Sequence, residues 1–132
     1  MNNSVNVQSP NFGMAYKVSE MKNLTRYLNN QEPKAISELS TKMLEAAEKL
    51  KDTKYTNVFL TADDKGENLY HIFRYYEPKF NEKGVVENYL WTTTLGSDID
   101  NAVAEALEKE KAMTAAFEYA KKQEQVLKDL CK

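Results

Sequence analysis

The C-terminal part of the chain carries a helical pattern too long for a compact domain of this size. Over residues 98–130, apolar side chains recur at alternating steps of four and three residues, starting with Ile99 and Val103. A straight helix of this length measures about 50 Å. A compact body of 132 residues has a diameter of only about 35 Å. The helix must therefore break or extend beyond the rest of the domain.

Each alternative has its own consequence. An extended helix leaves part of its apolar seam without cover, which predicts a homodimer or another helix-mediated complex through residues 98–130. A break near residues 108–111 instead predicts a second helix that folds back. Glu110 and Glu124 interrupt the seam about 21 Å apart on a straight helix, whereas paired catalytic carboxylates need about 5–9.5 Å. We interpret them as the edge of the apolar stripe.

Three runs before this helix have the composition of β-strands. Residues 55–62, 69–76 and 85–95 are rich in β-branched and aromatic side chains. Residues 63–67 have turn chemistry, with Gly66 suited to a positive φ. Three consecutive strands with short connections predict an antiparallel meander.

Two shorter helices are predicted upstream of the strands. Ser19 is a suitable N-cap for the first, and Pro33 fits the first position of the second. Residues 1–16, rich in Asn, Ser and Gln, predict a flexible N-terminal arm before a single domain over residues 17–132. The predicted fold class is α+β: two N-terminal helices, a three-stranded antiparallel meander and a long C-terminal helix.

Composition argues against several classes of function. The net charge of −2 provides no positive field for nucleic acid or an anionic membrane. The element order resembles that of the double-stranded-RNA-binding domain, but Ser97, Asp98 and Asp100 stand where that family has lysines. One cysteine and one histidine exclude an internal disulfide and a zinc site with two imidazoles. We expect no cofactor, no metal and a cytoplasmic location, because signal-peptide and membrane-spanning patterns are absent from the sequence.

Aromatic residues concentrate in the strand region, where residues 55–91 hold nine of the fourteen. If Asp63 pairs with Glu67 and Phe73 with Tyr89, side-chain parity gives one aliphatic core face and one aromatic face. An open aromatic face is a recognition surface, whereas packing of helices on both faces would bury it in a three-layer domain. The candidate binding residues on this face are Tyr55, Phe59, His71, Phe73, Tyr75, Glu87, Tyr89 and Trp91.

These observations favour a non-enzymatic protein- or peptide-interaction module that uses the aromatic sheet face, the long helix or both. We assign no catalytic residue, because Glu87 lies about 13 Å along the strand from His71 in this register. A small enzyme or ligand carrier with a pocket around His71 is the alternative function. A small phage or mobile-element inhibitor is a further alternative.

Overall fold

The structure is a computed structural model that describes residues 15–131. Its strands and helices confirm the α+β class, and the strands form one mixed sheet in the order β1-β2-β3-β4. In chain order the elements are β1 (Tyr16–Val18), α1 (Met21–Asn29), α2 (Pro33–Lys49), β2 (Thr56–Ala62), β3 (Leu69–Phe80), β4 (Val86–Leu95) and α3 (Ile99–Leu130).

The sheet has one strand more than the predicted meander. β2, β3 and β4 pair antiparallel in succession, as predicted. The additional strand β1 pairs in parallel with β2, placing Tyr16 opposite Val58. Of the predicted arm, residues 1–14 lie outside the described residues, and the buried Tyr16 begins β1.

The helix starts differ from the sequence prediction in two places. Ser19 does not cap α1, because its N–H extends the β1 pairing by donating to the Leu60 carbonyl at 2.9 Å. Glu20 occupies the cap position instead, in the left-handed region with φ 54°. Asp98 rather than Ser97 caps α3. Pro33 occupies the first turn of α2, as predicted.

Both predicted strand registers are wrong, but only one of the two errors exchanges faces. Asp63 pairs with Asn68 through its N–H at 3.0 Å, one residue beyond Glu67, so β3 side chains change faces relative to β2. Phe73 lies opposite Thr93 rather than Tyr89. That second shift is an even number of residues, so the faces of β3 and β4 stay matched.

Helices α2 and α3 pack on the same face of the sheet, which we call the inner face. The three-layer alternative is therefore wrong for these two helices. On this face, β3 contributes His71 and Phe73 to the interior, although both were predicted to lie on the aromatic face opposite the core. The core joins the strand residues Val58, Leu60 and Phe73 to Ala46 within α2 and Leu50 directly after it. From α3 it includes Ile99, Ala102, Val103 and Ala106.

Helix α3 is unbroken from Ile99 to Leu130, so the predicted break is wrong. Its seam is buried against the domain as far as Ala120. The sheet extends with the helix, because residues 76–80 of β3 pair with β4 beyond the end of β2. The β3–β4 hairpin and α3 thus run out together from the body of the domain.

Glu110 and Glu124 tie α3 to the sheet. The Glu110 carboxylate accepts hydrogen bonds from the backbone N–H of Lys54 at 2.8 Å and of Tyr55 at 2.9 Å. The Glu124 carboxylate accepts one from the N–H of Val86 at 2.7 Å. Both glutamates therefore bind backbone N–H groups at or just before the start of a strand, where these groups have no hydrogen bond to a neighbouring strand.

The β2–β3 turn packs against α1. Gly66 has φ +70°, as predicted from the turn chemistry, and a Cβ added there would lie 2.6 Å from the Cβ of Arg26. Arg26 donates to the Asp64 carbonyl at 2.6 Å, and the Asn23 side chain donates to the Ala62 carbonyl at 3.2 Å. The close approach at Gly66 therefore lets α1 hold the turn.

Candidate functional site

The structure distributes the predicted binding residues among different environments. The predicted separation of aliphatic and aromatic faces is wrong, because most of the aromatic set shares the inner face with Val58 and Leu60. Phe59 lies on the opposite, outer face. Of the others, His71 and Phe73 are buried, Tyr55 and Tyr75 are half-buried, and Glu87, Tyr89 and Trp91 are exposed on β4.

His71 lies in the interior with both ring nitrogens hydrogen-bonded. Its Nδ1 is 2.8 Å from the Gly96 carbonyl oxygen, which can only accept, so Nδ1 carries the proton. Nε2 of the neutral ring then accepts from the hydroxyl of Tyr16 at 2.8 Å. The side chain joins β1, β3 and the segment after β4, and neither nitrogen is available to a substrate.

Burial also sets the protonation of this pair. Loss of solvation lowers the pKa of His71 below its ordinary value of 6.5, against smaller opposing effects of the Gly96 carbonyl and Asp98. Burial raises the pKa of the Tyr16 hydroxyl. Both shifts favour the neutral forms. The arrangement is that of a satisfied core hydrogen-bond network rather than of a general base open to ligand.

The exposed part of the predicted set lies on the edge strand β4. Tyr89, Leu90 and Trp91 are consecutive and 54%, 49% and 42% exposed. Tyr89 and Trp91 share the inner face, and their ring centroids are 5.9 Å apart. Leu90 lies on the outer face, opposite Tyr76. Large apolar side chains thus flank the edge on both of its faces.

Two charged residues of β3 hold this aromatic pair in place. The Trp91 indole donates from Nε1 to the Glu77 carboxylate at 2.8 Å. Lys79 Nζ lies 5.8 Å from the Tyr89 ring centroid and 3.7 Å from the Glu77 carboxylate. The sequence prediction missed Glu77 and Lys79 because it ended the second strand at residue 76. Continuing the parity of Tyr75 would have placed both on the face of Trp91.

Within residues 15–131, one edge of the β4 backbone has no strand partner. The N–H of Tyr76 donates to the Tyr55 carbonyl at 2.8 Å, so the even-numbered residues of β3 direct their backbone groups to β2. Odd-numbered residues of β3 therefore bond to their β4 partners, as in the pair of Tyr75 and Trp91. In β4 the even-numbered residues then point outward. Among the described residues, the backbones of Asn88, Leu90, Thr92 and Thr94 have no partner there.

This free edge is closed at both ends. At the hairpin end, the outward N–H of Val86 is occupied by Glu124. At the other end, the carbonyl of Gly96 is occupied by Nδ1 of His71. The residues whose outward N–H and C=O groups are both available to a partner strand therefore run from Asn88 to Thr94.

Other kinds of site have little support in the described part of the chain. Residues 15–131 contain no group of three or more potential metal-ligating side chains. The Asp63 carboxylate accepts hydrogen bonds from the N–H of Glu67 and from the side chain of Asn68 within the turn. Shallow grooves along α2 are lined by residues such as Leu44 and Glu45, remote in sequence from His71. No helix within residues 15–131 combines the length and the hydropathy needed to cross a bilayer.

Comparisons with protein-family models, curated proteins and solved structures give no match to this chain.

Proposed function

We propose that the chain is a non-enzymatic protein-interaction module that binds an extended segment of its partner along the free edge of β4. The observation that carries this proposal is that one strand combines backbone groups with no partner among residues 15–131 and the exposed side chains of Tyr89, Leu90 and Trp91. A partner strand would hydrogen-bond to the outward backbone groups. Its side chains would contact the aromatic pair on the inner face and Leu90 on the outer face.

The side chains on this strand suit such a role. Tyr and Trp provide large contact areas with few rotatable bonds, and they are enriched among residues that dominate binding energy. The hydrogen bond from Trp91 to Glu77 fixes the indole before a partner arrives. Less conformational entropy is then lost on binding. The seam of α3 is not part of the proposed surface, because the sheet covers it through Ala120.

The alternative of a small enzyme or ligand carrier at His71 has less support. The imidazole is fully buried, and both of its nitrogens are bonded to groups of this chain. A ligand would have to displace Tyr16 or the Gly96 carbonyl to reach it. The edge strand needs no such rearrangement.

The test is affinity capture from the native host with the wild-type chain and three single variants as bait. Tyr89→Ala and Trp91→Ala remove the proposed contacts. Tyr119→Ala is the matched control, because Tyr119 is an aromatic residue 65% exposed on α3. We expect the first two variants to retain their circular dichroism spectra and thermal midpoints but to bind a captured partner at least about tenfold more weakly. Equal binding by all four baits would contradict the proposal.

A further inference from the structure

We propose that the strand which fills this edge is β4 of a second copy of the chain, giving a two-fold symmetric dimer with one continuous sheet. The inference rests on the proposed function, since it uses the same edge, and it identifies the partner. It also differs from the sequence prediction of a homo-oligomer through residues 98–130, because the contact is made by a strand.

The arrangement of free backbone groups determines the register of this pairing. In the part of the chain that the structure describes, the residues whose outward backbone groups lack a partner are Asn88, Leu90, Thr92 and Thr94. They are spaced symmetrically about Trp91. An antiparallel copy related by a two-fold axis at Trp91 places Asn88 opposite Thr94 and Leu90 opposite Thr92. Each of these pairs exchanges two N–H to C=O hydrogen bonds. Every outward group from Asn88 to Thr94 is then satisfied in both copies.

The closed ends of the edge fit the same register. With the axis at Trp91, Val86 of one copy lies opposite Gly96 of the other. A hydrogen-bonded pair at this position would exchange two bonds, one from the Gly96 N–H to the Val86 carbonyl and one from the Val86 N–H to the Gly96 carbonyl. That donor is already occupied by Glu124, and that acceptor by His71. One of the two bonds of this pair therefore cannot form, so the complete hydrogen-bonded pairs of the dimer end at Asn88 and Thr94.

The side chains of β4 allow the strand to pair with itself. Glu87 is the only charged residue of the strand, and in this register it lies opposite Leu95 of the copy, so no like charges meet. Residues 88–95 contain none of the lysines or prolines with which monomeric proteins commonly protect an exposed edge. Trp91 meets its own copy on the inner face. Closed two-fold symmetry is also the commonest form of self-association.

The first test is sedimentation equilibrium of the full chain. We expect a species of twice the 15.2 kDa monomer mass at tens of micromolar. The variant Thr92→Pro should be monomeric, because it removes an outward N–H without removing a bond to β3. The matched variant Thr92→Val keeps the N–H and should remain dimeric. Circular dichroism checks that both variants are folded.

The second test reads the register through a disulfide in the Cys131→Ser background, which removes the exposed natural thiol. In the proposed dimer the two copies of Trp91 form a non-hydrogen-bonded pair with Cα atoms about 4.5 Å apart. Trp91→Cys should therefore cross-link on mild oxidation, at a protein concentration raised at least tenfold to offset the contact that the substitution removes. The control Tyr89→Cys places its two thiols about 13 Å apart along the strands, and we expect at least tenfold less cross-linking.

Three results would each overturn the dimer: a monomeric wild type up to about one hundred micromolar, a dimeric Thr92→Pro variant, or equal cross-linking by Trp91→Cys and Tyr89→Cys. A monomeric wild type whose captured partner still depends on Tyr89 and Trp91 would reject the second copy as occupant but uphold the proposed function. A monomeric wild type that also captures no partner dependent on Tyr89 and Trp91 would reject both proposals.

Discussion

Two threonines of β2 are buried to nearly the same degree but differ in the state of their hydroxyls. Thr56 is 2% exposed, and its hydroxyl donates to the Glu110 carboxylate at 3.1 Å. Thr61 is fully buried, and its hydroxyl has no hydrogen-bond partner among the described residues. Valine has nearly the shape of threonine and also favours strands. The substitution Thr→Val at each position therefore reports mainly on the hydroxyl.

The two substitutions should have opposite effects on the free energy of unfolding. A buried hydroxyl without a partner costs about 1–3 kcal/mol, so we expect Thr61→Val to stabilise the protein by about 1–2 kcal/mol. Thr56→Val removes a hydrogen bond to a carboxylate and should destabilise by about 1–2 kcal/mol. The destabilisation lies at the lower end of this range if Glu110 keeps its bonds to the N–H groups of Lys54 and Tyr55. The midpoint temperatures should move apart by several degrees.

The assay is urea unfolding followed by circular dichroism, with linear extrapolation to water and a check that the slopes agree. The measurements are made at several protein concentrations, so that any contribution of association is seen as a shift of the midpoint. Destabilisation by Thr61→Val, or a gain in stability from Thr56→Val, would refute the burial and bonding assigned to this strand.

Two further predictions concern His71 and the β2–β3 turn. Burial holds the pKa of His71 below 6.5 in the folded chain, so on acidification the imidazole of the unfolded chain is protonated before that of the folded chain. The free energy of unfolding should therefore be constant just above pH 6.5 and fall below it until the folded-state pKa is passed. Tyr16, the Gly96 carbonyl and Asp98 are the groups that face the ring. The pKa values of Asp63 and Asp100 are held below 3.8, so these carboxylates do not titrate in the same range. A His71→Gln variant should therefore lose the slope of unfolding free energy against pH between about pH 6.5 and pH 5, and an unchanged slope would contradict this. Gly66→Ala should lower the thermal midpoint by several degrees, because φ is +70° and the new Cβ meets Arg26 at 2.6 Å. The control Gly96→Ala should shift the midpoint little, because its new Cβ meets none of the described residues within 4 Å. Equal shifts would contradict the close packing of the turn.

Helix α3 could be predicted from the sequence because its apolar period persists over many turns. The repeat from Ile99 to Ala120 matches the buried side of the helix. Beyond this point the period continues to Leu127, but that side chain is 43% exposed. A period shows which side of a helix is apolar, whereas the extent of its burial depends on how far the sheet reaches.

The strands could be predicted but their pairing could not. The first register depends on whether Asp63 pairs with Glu67 or Asn68, and the hydrogen bonds within the turn select Asn68. No side-chain period distinguishes the two. The second strand was predicted to end before Pro78. Proline is tolerated there because its nitrogen points away from β4 and beyond the end of β2, where no ladder bond is lost.

The sequence analysis placed Tyr89 and Trp91 on one face of the sheet, and they share a face in the structure. Their exposure is visible only in the structure. The same face is buried at His71 and Phe73, because α2 and α3 cover its β2 side and leave β4 open. The roles of Glu110 and Glu124 were missed, because an interruption of an apolar seam does not show which backbone donor it meets.

Amide hydrogen exchange along β4 tests most directly whether this edge is the binding surface. In the dilute free chain, we expect rapid exchange at Asn88, Leu90, Thr92 and Thr94, slow exchange at Tyr89, Trp91 and Thr93, and protection of Val86 by Glu124. Adding a captured partner, or raising the protein concentration, should slow the four outward amides at least tenfold and leave Val86 unchanged. Protection of those four amides in the dilute chain, or rapid exchange that persists in the complex, would contradict strand addition at β4.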